Sequence, residues 1–230
     1  MQLTGDIRRA WTDGGGKTVL TRSIKRILRP ALKMGTLVFT ECDLREPMPG
    51  RRRVPGIIVR EATFEDVDLF ESRNIFIERL QSGNRCFLGI EEATGKLTNF
   101  RWINTAEAYV PELNRHLILS AGEAYAYDLR TLPEFRRRGI DAFTRHYTYS
   151  YLRDTGYTKV YAYIHGDNYP SLRASRHFLK PVARIWFIQP RGCEPIMIRG
   201  WKRNLPELSR LPVRREANPK VQRQKSTGAA

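Results

Sequence analysis

The stretch 133-PEFRRRGIDA-142 carries the densest chemistry in the chain. Alternation in 123-EAYAYDLRT-131 reads as a strand, Pro133 as a turn, and the residues after Gly139 as the start of a helix. A strand that runs through a short loop into a helix leaves backbone N–H groups unpaired. The helix dipole turns its positive end to the same spot. Arg136, Arg137 and Arg138 add full charges there, and Gly139 removes the side chain where an anion must approach the backbone. The spacing suits phosphate binding.

Proton-transfer candidates flank this stretch. Glu123 opens its strand, and His165 closes the next one, 158-TKVYAYIH-165. Histidine has the side chain best placed to exchange a proton near neutral pH. A catalytic base and a bland surface or core-edge residue are both open readings for each. Tyr125, Tyr127, Tyr161 and Tyr163 recur at period two on the two strands, which fits core packing or a stacking wall. His116, His146 and His177 are scattered and read as structural. Cys42, Cys86 and Cys193 form no CxxC pair, which argues against zinc and dithiol chemistry and for a reducing cytoplasm. Gly16-Lys17-Thr18 ends like a P-loop, but Trp11 stands where the first glycine is required.

These residues need a scaffold, and the pattern supplies one. Residues 36–42 read as a strand and 43–56, rich in Pro, Gly and Arg, as a loop. The folded core is expected to begin at 57-IIVREAT-63. Thr63 and Asp66 have capping spacing, and 64–81 suits two short helices. Two strands follow, 86–92 and 97–105, joined by a turn at 93–96. Residues 106–122 stay ambiguous, as a loop with a strand near 116–120. After the phosphate-binding stretch come a helix over 139–155, a strand, a helix over 168–179 with Asn168 as N-cap, and strands at 182–189 and 195–201.

The net charge of +16 sits mostly at the ends. Residues 1–35 hold eight Lys/Arg against two Asp, and 202–230 hold eight against two Glu, which leaves +4 for the centre. The expected organisation is a basic extension over 1–35, a folded domain over 36–201 and a mostly disordered basic tail over 202–230. Within the extension, residues 18–33 place Leu20, Ile24, Ile27, Leu28, Ala31 and Leu32 on one helical face and basic residues elsewhere, and Pro30 is expected to kink or end the helix. Such a helix suits docking on its own domain, or contact with an anionic membrane or nucleic acid. The basic ends lack the interleaved aromatics of a nucleic-acid stacking platform. No run approaches the roughly 18 to 20 apolar residues of a membrane span.

The element order, with 133-PEFRRRGI-140 inside it, resembles the GCN5-related N-acetyltransferase (GNAT) superfamily over about 57–200. The family's acetyl-CoA motif is Arg/Gln-x-x-Gly-x-Gly/Ala. Arg136 and Gly139 match it, and Asp141 departs at the last position. The family often starts the helix after the next strand with Asn-x-x-Ser/Ala, and here stand Asn168 and Ser171.

The resemblance implies an α+β fold: a central mixed, mostly antiparallel sheet of about six to seven strands, splayed between the two strands flanking the CoA-binding helix. It implies an N-acyltransferase, most simply an acetyltransferase, in which an amine attacks the thioester directly in a ternary complex. Acetyl-CoA is then a cosubstrate and no metal is needed. Pantetheine contacts would come from Leu129 and Thr131. The pyrophosphate would lie beside Arg136, Arg137, Arg138, Gly139, Ile140, Asp141 and Ala142, with Asn168 and Ser171 nearby. Glu123 or His165 would act as base. Ser175, where the family often has a tyrosine acid, or in its place Tyr169 or Tyr163, would protonate the departing thiolate. A longer acyl-CoA or an acidic acyl-carrier protein as donor, a homodimer, and a non-catalytic module binding membrane or nucleic acid through its basic ends are the remaining readings.

Overall fold

A computed structural model describes residues 32–48, 53–202 and 205–210. Eleven strands appear among them: β1 (Leu32–Asp43), β2 (Ile57–Glu61), β3 (Arg85–Glu91), β4 (Leu97–Asn104), β5 (Glu107–Val110), β6 (Arg115–Ile118), β7 (Glu123–Thr131), β8 (Lys159–His165), β9 (Lys180–Pro190), β10 (Ile196–Lys202) and β11 (Leu208–Ser209). Three α-helices accompany them: α1 (Arg73–Gln81), α2 (Ile140–Asp154) and α3 (Tyr169–Ser175). Eight strands form the main sheet in the order β10-β9-β1-β8-β7-β4-β3-β2, and β11-β6-β5 form a small second sheet. Every neighbouring pair in the main sheet is antiparallel except β7 and β8.

Helix α2 covers one face. Ile140, Phe143, Thr144, Thr148, Tyr149 and Leu152 are buried at helical spacing. Tyr149 and Leu152 pack on Cys42, Phe87, Ala124 and Val160, while Ile140 and Phe143 pack on Ile57 and Val59. Each such apolar side chain contributes about 1.5–3 kcal/mol by leaving water. The other face is shared. Helix α1 buries Phe76 against Cys86, Leu88 and Trp102, and the small sheet buries Val110, Leu113 and Leu117 against Leu37, Phe39, Tyr125 and Ile185.

Several expectations change. The core takes in β1, ahead of residue 57, because that strand lies in the middle of the sheet between β8 and β9. Leu37 and Phe39 face one core, and Cys42 faces the other. A strand covered on both faces reads as a short apolar run, and nothing in such a run says where in the sheet it will insert. Leu32 and Lys33, expected in a helix, belong to β1; residues 18–31 of that expected helix lie outside the described residues. The ambiguous 106–122 segment forms the β5–β6 hairpin. Part of the expected disordered tail is ordered: Leu205 is buried and β11 pairs with β6. The expected helix over 168–179 ends at Ser175. Eight strands, rather than six or seven, make the main sheet.

The 3-10 turn over Phe64–Leu69 is anchored by a buried carboxylate. Asp66 accepts two hydrogen bonds from Arg60, at 2.8 and 2.5 Å, and one from the Thr63 backbone N–H at 2.8 Å. The Arg60 bonds, against the opposing effect of burial, hold Asp66 below the usual carboxylate range. Asp66→Ala is expected to cost about 1–3 kcal/mol in urea denaturation at neutral pH. Because the folded-state pKa is depressed, this contribution is complete above the ordinary Asp value of about 3.9 and disappears as pH falls through the folded value. Wild type should therefore lose stability on acidification more steeply than the Asp66→Asn variant.

Candidate active site

The parallel strands β7 and β8 form a V. They pair only at Glu123↔Lys159, Ala124↔Val160 and Tyr125↔Tyr161. Beyond Tyr125, β7 stays with β4 as far as Thr131, while β8 stays with β1 as far as His165. A bulge helps open the V. The β4–β7 register slips between Phe100 and Trp102, so Asp128 and Leu129 together face Arg101. Asp128 adopts a left-handed φ of 45°, a conformation Asp tolerates better than most residues. Its carboxylate is fixed by Arg79 of α1 at 2.5 Å, and the same guanidinium lies over Trp102 and Tyr127.

The loop after β7 shapes the second half of the site. Arg137 and Gly139 both have positive φ, 63° and 77°. Left-handed residues at alternate positions turn the backbone N–H groups around them toward one side, as in an anion nest, here at the start of α2, where the dipole adds to them. A cleft of about 340 Å³ opens there, lined on one side by Arg53, Val54 and Pro55 and on the other by Arg137, Arg138, Gly139, Ala142, His146 and Phe178. Arg136 turns away and donates from Nε to the Thr131 carbonyl at 3.1 Å. Arg138 lies over the Phe135 ring.

Asp141 points inward rather than into the cleft. Its two carboxylate oxygens each accept a 2.9 Å bond, one from Arg101 of β4 and one from Arg145 a turn along α2. Those arginines are 2% and 3% exposed. One carboxylate thus serves two buried cations, and Arg101 Nε, Arg145 Nε and Arg145 Nη1 have no hydrogen-bond partner among the described residues. Burial, and then the Arg145 charge, push the Arg101 pKa down, with Asp141 opposing them. The arrangement ties the first turn of α2 to the sheet beneath the 136–139 loop.

On the opposite face, the splayed end of β8 meets the β5–β6 turn. His165 Nε2 lies 2.8 Å from Glu112 Oε1, and the Tyr163 hydroxyl donates to Glu112 Oε2 at 3.0 Å. Burial alone would raise Glu112, but the bonds from His165, its own backbone and Tyr163 prevail and hold it below its usual value. With Glu112 ionised, the shared hydrogen resides on Nε2. Burial, followed by the Glu112 charge, raises Tyr163, which keeps it a donor. Tyr125 stacks on Tyr127 at 5.9 Å and reaches Tyr163 at 6.3 Å across the opening V. The Tyr127 hydroxyl donates to Asn84. Tyr125 and Tyr161 are packed into the core, whereas Tyr127 and Tyr163 are half-buried.

The other expected site residues are dispersed. Glu123 lies at the closed end of the V, where it accepts from Tyr161 at 3.2 Å and from the Ser120 N–H at 2.9 Å. Leu129 is exposed on the bulge, and Thr131 accepts from Asn99 at 2.7 Å. Asn168 caps α3 by accepting the Ser171 N–H. Tyr169 is exposed in the first turn of α3, and Ser175 is buried at its end. The Ile140 side chain belongs to the core. Sequence reasoning missed Glu112, Arg79 and the wall 53–55. Only Asp128, which breaks the alternation after Tyr127, left a trace there.

The chain matches no protein-family model and no curated protein in sequence. Solved structures do match. A tandem GNAT protein from the clavulanic acid biosynthesis pathway aligns with a TM-score of 0.51 at 12% identity, over 70% of this chain and 55% of that one. A GCN5-related N-acetyltransferase from Sphaerobacter thermophilus aligns with a TM-score of 0.52 at 14% identity, over 79% and 59%. The fold is GNAT-like. This chain aligns with little more than half the length of either protein. Its GNAT-like sheet carries β1 between β8 and β9, and the V described above lies next to that strand.

Proposed function

We propose that the chain is an N-acyltransferase that moves an acyl group, most simply acetyl, from acyl-CoA to an amine. The observation that carries this reading is the V between β7 and β8, with the nest at Arg137–Gly139 and its cleft beside it. An extended arm fits the unpaired edges of the V, and a diphosphate fits the cationic cleft, where Asp141 offers no opposing charge because it is turned to Arg101 and Arg145. The residues present therefore suit CoA.

The thioester supplies an activated acyl carbon and a thiolate leaving group. The amine nitrogen forms a bond to that carbon, the C–S bond breaks, and a proton leaves the nitrogen as the thiolate takes one up. This chain's residues hold and move those protons. Glu112 fixes the Nε2–H tautomer of His165, which makes Nδ1 the basic nitrogen of the neutral ring. His165 is the base in this reading, and Glu123, at the closed end of the V, is the less suited candidate. The Tyr163 hydroxyl, Tyr169 and Ser175 are the available O–H donors for the thiolate, and Tyr163 stands nearest the V. The bulge at Asp128–Leu129 turns backbone out of the ladder, where an N–H can face developing charge on the carbonyl oxygen.

The test combines thermal shift with acetyl-CoA and a free-thiol readout over a panel of amines. A rise in melting temperature and amine-dependent thiol release are expected; no shift with acetyl-CoA or longer acyl-CoAs overturns the reading. His165→Ala should lower kcat on the order of 100-fold or more while leaving the acetyl-CoA shift intact. Loss of the shift instead would place His165 in cofactor binding.

A further inference from the structure

The edge of the main sheet carries an uncovered apolar face. Trp186, Ile188, Ile196, Ile198 and Trp201 are 37 to 60% exposed. They are contiguous: Ile196 pairs with Ile188, Ile198 with Trp186, and Trp201 follows a bulge opposite Arg184. The alternate residues Phe187, Ile185 and Met197 face the core, so the patch lies on the other side of β9 and β10. Trp186 lies so close over Gly200 that a Cβ there would sit 2.4 Å from its ring. That is the same face as α2, but the buried clusters in which α2 packs draw on β1, β2, β3, β4, β7 and β8, and include no residue of β9 or β10. Monomeric soluble domains seldom leave so many large apolar side chains together in water.

We propose that this face is the docking site of the chain's own residues 18–29, packed on it as an amphipathic helix that ends before Pro30. Three observations select this occupant. First, the earliest described residues of β1 pair with β9 beside the patch: Leu32↔Pro190, Lys33↔Gln189, Met34↔Ile188. The preceding segment is therefore tethered at the patch edge, which makes docking intramolecular. Second, Leu20, Ile24, Ile27 and Leu28 form one apolar stripe ahead of Pro30, and Arg22, Lys25, Arg26 and Arg29 occupy the rest of the surface. Third, the sizes agree. Twelve helical residues span about 18 Å at 1.5 Å each. The three strands β10, β9 and β1, at about 4.8 Å spacing and over 3.3 Å per residue, offer a platform of similar length. The basic face then points to solvent.

The chain has four tryptophans, Trp11, Trp102, Trp186 and Trp201; Trp102 is in the core, so the two on the patch report its cover. In a Trp11→Phe full chain, emission should be shielded from acrylamide. Adding Ile24→Asp with Ile27→Asp should shift emission to the red, raise quenching and lower the helical far-UV circular dichroism slightly, while the domain keeps its cooperative thermal unfolding. Unchanged quenching overturns the proposal. So does shielding that disappears on dilution together with a halved light-scattering mass, which would make a second copy the occupant, or shielding seen only with anionic vesicles. If the double variant does not fold, Ile198→Lys on the exposed strand serves instead. It should speed amide hydrogen exchange across residues 18–29, and exchange there that is equally fast in wild type overturns the proposal.

Discussion

Gly139→Glu is expected to abolish the rise in melting temperature given by acetyl-CoA, and acyl transfer with it. At a ligand concentration of 100 Kd, wild type gains about 2.7 kcal/mol from binding to the folded state alone. Two effects remove that gain. Gly139 holds φ at 77°, which a side chain adopts only with strain, on the order of 1–2 kcal/mol. A Cβ at Gly139 meets only Val54, at 4.0 Å, so the fold itself has room for it and the carboxylate enters the cleft. A negative charge then replaces the approach to the nest. The variant should fold, with a modestly lower melting temperature, and show no acetyl-CoA shift. A retained shift would mean that the diphosphate binds elsewhere.

Asp141→Ala should be the most destabilising single change near the site, at about 3–5 kcal/mol by urea denaturation, because it leaves two buried guanidiniums facing each other with no counter-charge. The partner variants sharpen this prediction. Arg145→Met leaves Asp141 paired with Arg101 and removes a like charge that already disfavours the protonated form of Arg101, so its cost should be distinctly smaller. Combining Asp141→Ala with Arg145→Met should recover part of the loss, since one unpaired buried charge is less unfavourable than two. Strict additivity would show that the three side chains do not act as one cluster. The acetyl-CoA shift, measured where Asp141→Ala is still folded, should weaken as well, because Asp141 holds the first turn of α2 beneath the nest.

The comparison of these two positions shows how much of the site was legible beforehand. Gly139 announced itself. A glycine between three arginines and a helix start has few physical explanations, and its positive φ agrees with the strongest of them. Asp141 did not. A carboxylate beside a phosphate loop looks unfavourable until Arg101 is known to lie under it, and Arg101 is 40 residues away in sequence. His165 was visible as a titratable group at a strand end, but its partner Glu112 sits in a turn whose sequence, 111-PELN-114, carries no chemical signature. Only the folding of the β5–β6 hairpin over β8 joins them.

The sequence by itself determined the local elements: the alternating strands, the helix behind Gly139, the Asn168 cap, and the strand–loop–helix order around Gly139. These depend on periodicity and on residues close together in the chain, where few conformations compete. The tertiary structure decided what depends on distant pairing. It placed β1 in the middle of the sheet, ordered residues 205–210 against β6, and turned Asp141 from an obstacle into a clamp. It also opened the V, because a bulge at Asp128 changes the register with β4 and takes its orientation from Arg79, on another helix. Strand order and buried ion pairs are settled by which surfaces meet in three dimensions, and one-dimensional spacing does not encode that.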